Sequence, residues 1–228
     1  MAGRIAYYGN IVTNGLILDL DAAKRDSYPG SGTTWFDISG LQYNGTLVNS
    51  PTFDPANAGS VVFDGTNDYL VRTDASLRNY TTVTANIWMN VTSSNAWETY
   101  FSYNAEEAGL TQGWGIRRQS NSPNYQYWGG TGNSGIKLYK NGTLISSGNA
   151  SSVVAAGFNI TGSWGMITLV ATGVLSWNTT NNFTLATRSD NLGSATNMKA
   201  GSFSLYNREL SAAEITQNYN ALKGRYGL

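Results

Sequence analysis

The sequence predicts an all-β fold: a two-sheet antiparallel sandwich or jelly roll, finished by one short C-terminal helix. Three observations carry this. Short runs rich in β-branched and aromatic residues recur between turn signals along the 228-residue chain. No strand-helix-strand alternation of the βαβ kind appears. Only the closing stretch, "SFSLYNRELSAAEITQNYNALKGRYGL", shifts to the spacing of a helix.

The strands follow in order. "GLILDLDA" sets Leu16, Leu18 and Leu20 against Ile17, Asp19 and Asp21, so one face is drier. "SVVFDG" and "DYLVRT" flank a turn at Gly65-Thr66-Asn67-Asp68. "TTVTANIWMNV" alternates Val83, Ala85, Ile87 and Met89 against Thr82, Thr84, Asn86 and Trp88. Further strands are predicted at "ETYFSYN", "GWGIRRQ", "YQYWGG", "GIKLYKNGTLISS", "GMITLVATG", "NNFTLATRS" and "AGSFSLYN". Asn141-Gly142 is the strongest hairpin turn, because both residues accept the positive φ of a type I′ turn. In the final helix Ser211 and Glu214 form a capping box, and Leu210 and Ile215 a hydrophobic staple. Ile215, Tyr219, Leu222 and Tyr226 share one face, and Gly224 is the expected C-terminal cap. So short a helix is marginal alone in water and must dock its apolar face on something larger.

One domain is expected from residue 15 to 228, preceded by residues 1–14 as an N-terminal arm or a first edge strand. Charged residues make up only 12% of the chain and the net charge is zero, which excludes the basic footprint of a nucleic-acid binder. The chain has no Cys and no His, which excludes disulfides, Cys/His zinc sites, cysteine nucleophiles and a Ser-His-Asp triad. The opening "MAGRIAYYGNIVTNGLILDLDAA" holds no apolar run long enough for a signal peptide or membrane span. Synthesis in a cytoplasm without export, and no membrane insertion, are therefore expected. The Asn-x-Ser/Thr sequons are the chance product of a chain rich in those residues.

Four stretches together carry a resemblance. "VVFDGTNDYL", "TTVTANIWMNV", the "KLYKNG" hairpin and "SFSLYNRELSAAEITQNYN" resemble the concanavalin A-like, laminin-G-like jelly-roll domains. The chain departs from that family's order in one respect, since "SWGMITLVATG" follows the hairpin rather than preceding it. The opening "NGLILDLDAAKRDSYPGSGTTWFDISGLQYNGTL" is similar to the start of such domains in bacteriophage and viral structural proteins. The resemblance implies a non-enzymatic virion structural protein, a surface decoration or fibre subunit made in a host cytoplasm. Its partners would be copies of itself and other virion proteins. The alternative is a lectin module that binds host-surface glycans, and the two roles are compatible in one chain.

The same fold hosts β-glucanases, which need two carboxylates on one strand face. Here the acids are Glu106-Glu107, which suit a solvated turn, and Glu98 eight residues earlier, so no catalytic residues are expected. Laminin-G-like domains often hold Ca²⁺, and Asp64 and Asp68 bracket a turn from which ligands could come. Turn chemistry accounts for the same residues, and no cofactor is expected. Glycan binding is the usual activity that the resemblance implies. "GWGIRRQSNSPNYQYWGG" offers Trp114, Arg117, Asn124, Tyr125, Tyr127 and Trp128 as ligand-binding candidates, with Arg118 and Asn121 beside them. Sandwich core and cross-strand pairing are the competing roles of these aromatics.

Overall fold

A computed structural model describes residues 10–73, 80–92, 97–103, 113–118, 125–129, 135–148, 152–155, 160–172, 182–189 and 195–228, with backbone alone for 125–129 and 152–155. Among these residues sixteen strands form two antiparallel sheets. The first sheet runs β12 (Thr143–Gly148), β11 (Gly135–Lys140), β14 (Trp164–Thr172), β7 (Thr82–Val91), β16 (Asn197–Tyr206), β5 (Ser60–Asp64) and β4 (Thr52–Asp54). β1 (Leu16–Asp21) pairs with β16 beyond the end of β5. The second sheet runs β13 (Ser152–Ala155), β10 (Tyr125–Gly129), β9 (Trp114–Arg118), β8 (Thr99–Tyr103), β15 (Phe183–Leu185), β6 (Tyr69–Arg72), β3 (Gly45–Val48) and β2 (Thr34–Trp35). Every run predicted to be extended contains a strand. The additional strands β2, β3, β4 and β13 have only two to four residues each, too few to show a period.

The alternation in β7 places Val83, Ala85, Ile87 and Met89 in the core between the sheets. Phe203 and Leu205 of β16 join them, with Leu18 and Leu20 of β1 in register opposite. The other face of β7 is buried as well: Trp88, Met166, Val170 and Tyr206 form a second core beneath α1 (Ala212–Leu222). A sheet covered on both faces explains why β7 and β14 are buried along almost their whole length.

Both halves of the predicted capping box are present: Ser211 Oγ accepts from the Glu214 amide at 3.3 Å, and the Ser211 amide donates to Glu214 Oε2 at 2.8 Å. Arg208 adds a bidentate pair to the Glu214 carboxylate, at 2.6 and 3.1 Å. The helix ends differently from expectation. After Leu222 the chain tightens into a 3₁₀ turn over Lys223–Tyr226, and Gly227 rather than Gly224 takes the left-handed conformation, at φ 74°. The added turn carries Tyr226 onto Trp88, with ring centroids 4.4 Å apart, a stack that a break at Gly224 would forfeit. Residues 10–14 run without a ladder against α1. The Val12 amide donates to Asn218 Oδ1 at 2.8 Å, and Gln217 Nε2 donates to the Asn10 carbonyl at 2.9 Å.

The "TTWFDISG" segment is a backbone clamp. Asp37 Oδ1 accepts from the amides of Asp19 and Ser39, both at 2.8 Å, while Oδ2 accepts from the Tyr43 amide at 2.9 Å. Ser27 Oγ donates to the Phe36 carbonyl at 2.6 Å and accepts from the Asp21 amide at 2.9 Å. These bonds tie the loop to β1 and satisfy buried amides that water cannot reach.

Candidate functional site

The outward face of the second sheet carries the strongest surface feature. In β9, Trp114 and Ile116 point into the core, so Gly115 and Arg117 fall on the opposite face. Thr99 of β8 is paired with Arg117, and two residues before it the chain turns at Trp97. Trp97 is 42% exposed, and the Arg117 guanidinium carbon lies 4.7 Å from the centroid of its ring. Trp97 also takes φ 65°, a left-handed conformation that bulky residues rarely adopt. The indole is thus partly exposed, held against backbone preference and braced by a cation. Strain of this kind, on the order of 1–3 kcal/mol, gathers at functional positions.

Toward β15 the same face is a belt of small hydroxyls. Ser102 Oγ and Thr184 Oγ1 lie 3.0 Å apart, and the Ser189 amide donates to Ser102 Oγ at 2.9 Å. Thr196 Oγ1 donates to the Thr99 carbonyl at 2.8 Å. Residues 186–189 and 195–196 thereby lie over the inner strands of this face, and among the described residues Trp97 stands exposed beside Arg117.

The ligand-binding residues expected from sequence separate on folding. Trp114 is fully buried, 5.7 Å from Tyr103 and 5.9 Å from Phe101 between ring centroids. It is therefore a core residue and presents no face to a ligand, which corrects its place among the candidates. Arg117 lies on the outward face. In the β9–β10 ladder Trp128 stands opposite Gly115 and Tyr127 opposite Ile116, while Tyr125 stands opposite Arg118. Directly opposite residues share a face, so the Trp128 position belongs with Arg117 and the Tyr127 position with the core-facing set. Asn124 and Asn121 lie outside the described residues. Trp97 was missed, because it lies 20 residues from Arg117 in sequence and joins it only through the Thr99–Arg117 pair. Its one visible signal was a tryptophan in the polar stretch "SSNAWETY".

The carboxylates have local duties. Asp64 Oδ1 accepts from the Thr66 amide at 2.7 Å, which holds its carboxyl below the ordinary range. Asp68 Oδ2 accepts from the Asp64 amide at 3.3 Å, and burial pushes its carboxyl up, with the Asp64 charge adding to the effect. This is the geometry of a self-bonded turn. Among the described residues no cluster of three or more His, Cys, Asp or Glu side chains forms a metal-binding group. Glu98 is buried and its carbonyl accepts from the Arg118 amide at 2.8 Å, while Glu106 and Glu107 lie outside the described residues.

A second polar feature lies beneath α1. Asp19, Asn86, Ser202, Ser204 and Asn218 line a cavity of about 10 Å³, room for about one water molecule. Asn86 Nδ2 donates to Ser204 Oγ at 3.2 Å, and Thr168 Oγ1 donates to Asn86 Oδ1 at 2.5 Å. Burial pushes the Asp19 carboxyl up to about 6, against the opposing pull of Lys24 at 3.9 Å. Next to it, Asp21 receives a bidentate pair from Arg225 at 2.7 and 2.9 Å. A space this small and enclosed suits a structural water rather than a substrate. Among the described residues no helix is long and apolar enough to cross a membrane.

No family model and no curated protein matches the chain. Solved structures do. The binding domain of botulinum neurotoxin DC in complex with rat synaptotagmin II has a TM-score of 0.55 at 15% identity, over 92% of this chain and 52% of that one. A botulinum neurotoxin type C structure, from work on cell entry dependent upon interaction with two ganglioside molecules, has a TM-score of 0.53 at 14% identity, over 92% and 52%. A mutant of Trypanosoma rangeli sialidase displaying trans-sialidase activity has a TM-score of 0.57 at 14% identity, over 95% and 34%. What the chain shares with them is the β-sandwich. It spans about half the length of the toxin structures and about a third of the sialidase.

Proposed function

We propose that this chain is a non-enzymatic carbohydrate-binding sandwich, and that it serves as a surface decoration or fibre subunit of a virion. The observation that carries the glycan reading is the exposed Trp97, strained in its backbone and braced by Arg117 on the outward face of the second sheet. A sugar ring lays its C–H face on an indole, while a guanidinium and nearby amides donate to its hydroxyls. The Trp128 position falls on the same face one strand further out, by its register opposite Gly115. The fold supports the reading too, since a domain of similar architecture belongs to a toxin whose cell entry depends on gangliosides. The virion setting rests on the likeness of "GLILDLDAAKRDSYPGSGTTWFDISG" to laminin-G-like domains of phage and viral structural proteins. The proposal includes no cofactor.

A glycan array tests the first part. The wild-type chain is expected to bind at least one glycan class, and Trp97→Ala and Trp128→Ala to weaken that binding tenfold or more, about 1.4 kcal/mol. Absence of binding on the array, or binding indifferent to both substitutions, would overturn it. Mass spectrometry of purified particles from the source tests the second part, with the chain expected at fixed copy number.

A further inference from the structure

We infer that the cavity beneath α1 binds one sodium ion, held by the Asp19 carboxylate and the oxygens of Asn86, Ser202, Ser204 and Asn218. The ion is structural, and its site does not depend on the glycan reading. The lining comes wholly from described residues, and strand register builds it. Asp19 of β1 stands opposite Ser204 of β16, Ser204 opposite Asn86 of β7, and Asn86 opposite Thr168 of β14. Directly opposite residues share a face, so a polar row crosses the outer side of the first sheet. Asn218 of α1 closes it from above.

One group at this row lacks a hydrogen bond. Thr168 donates to Asn86, Asn86 donates to Ser204, and Asn218 accepts from the Val12 amide and donates to the Tyr206 hydroxyl at 3.1 Å. The Asp19 carboxylate is only 6% exposed and accepts no hydrogen bond from the described residues. Lys24, half-exposed, stops 3.9 Å from it, beyond hydrogen-bond reach, and stands 3.7 Å from Asp21 as well. The carboxylates of Asp19, Asp21 and Asp37 here face two cations, Lys24 and Arg225, so one negative charge is left over. A buried charge without a counterion is costly.

Size, donors and charge choose the occupant. The space of about 10 Å³ takes one particle of the size of water, which a sodium ion matches and a potassium ion exceeds. Carboxylate, amide and hydroxyl oxygens are the ligands of hard cations. The amide oxygens of Asn86 and Asn218 each accept one hydrogen bond and keep a second lone pair. Calcium takes about six to eight oxygens, and its two charges would turn the excess negative charge into a positive one. A water molecule fits the same space and leaves the charge unbalanced.

Thermal melting in sodium, potassium and choline chloride at equal ionic strength reads the site. At about pH 7.5 and about 0.2 M salt, sodium is expected to raise the folded-to-unfolded ratio about tenfold over choline, an increase in Tm of about 3–5 °C, and potassium to raise it less. Asp19→Asn is expected to melt at one temperature in sodium and choline, and Ser202→Ala to keep less than half of the sodium response. Asp68→Asn, whose carboxyl bonds within its own turn, is the control and is expected to keep the full response. The inference is overturned if the wild type melts alike in sodium and choline, which leaves a water molecule as the occupant, or if Asp19→Asn keeps the sodium response.

Discussion

On the outer side of the first sheet, Trp88, Met166, Val170 and Tyr206 lie under α1 and its 3₁₀ extension. On the outer side of the second sheet, Ser102, Thr184 and Arg117 occupy the equivalent outward positions, and among the described residues Trp97 at that surface is partly exposed. Each sheet must bury one face against the other. They differ in what is done with the remaining face. The helix converts the first sheet's outer face into a second core, whereas the second sheet's face stays polar and keeps an aromatic at the surface. An apolar residue beneath a helix is explained by burial. A single exposed apolar residue is ordinary, and what sets Trp97 apart is its left-handed backbone together with its contact to Arg117.

The largest expected effect comes from the covered face. Trp88 stacks on Tyr226 at 4.4 Å and on Tyr219 at 5.6 Å, and Tyr226 in turn meets Trp164 in a tilted pair at 4.5 Å. Trp88→Ala leaves a void at the centre of this stack and is expected to cost about 3–5 kcal/mol. Urea denaturation measures it. A loss below about 1 kcal/mol would mean that the helix docks loosely and that the two faces are less different than their burial implies.

The next effect is smaller and depends on pH. The Asp19 carboxyl, raised by burial to about 6 from an ordinary 3.8, faces Lys24, Asp21, Asp37 and Arg225. The folded state therefore takes up a proton before the unfolded one does. Stability from this group rises as pH falls from above 6 toward 3.8, by roughly 3 kcal/mol at most. The opposite contribution of Glu214, whose carboxyl is held down to about 2 chiefly by Arg208, is lost only below about 4.5. Thermal melting between pH 7.5 and pH 5 thus avoids Glu214, and because the Asp68 carboxyl is raised too, the Asp19→Asn variant separates the contribution of Asp19. The wild type is expected to gain stability on acidification across that window, and Asp19→Asn to be more stable than the wild type at pH 7.5 with most of the slope gone. An unchanged slope in the variant would show that the carboxylate is solvated beneath the helix.

Much of the covered face was legible in the sequence, because its signals are local. The capping box, the Leu210–Ile215 staple and the alternation of β7 each fall within a few residues, and each is realised. Gly224 misled because two glycines stand within one turn, and the stacking of Tyr226 on Trp88 chooses between them. The candidate site was less legible for the same physical reason. "GWGIRRQSNSPNYQYWGG" groups residues by nearness along the chain, whereas a strand sends neighbours to opposite faces. Trp114 went to the core and Arg117 to the surface, and the aromatic partner of Arg117 came from the turn that precedes the adjacent strand β8. A one-residue difference in register decides such a grouping, and no short-range signal encodes it.

The smallest expected effect on stability sharpens the comparison most. Trp97 is partly covered and sits at φ 65°, so Trp97→Ala is expected to cost about 1 kcal/mol, well below Trp88→Ala. Trp97→Gly removes the cost of the left-handed backbone and is expected to be at least as stable as Trp97→Ala. Thermal melts of the three proteins read this. If Trp97→Ala instead destabilises the chain by 2 kcal/mol or more, its stacking with Arg117 is part of the packing and the exposed indole needs no ligand to explain it. If the loss stays at about 1 kcal/mol while glycan binding falls, the outward face of the second sheet holds an aromatic that contributes more to recognition than to folding.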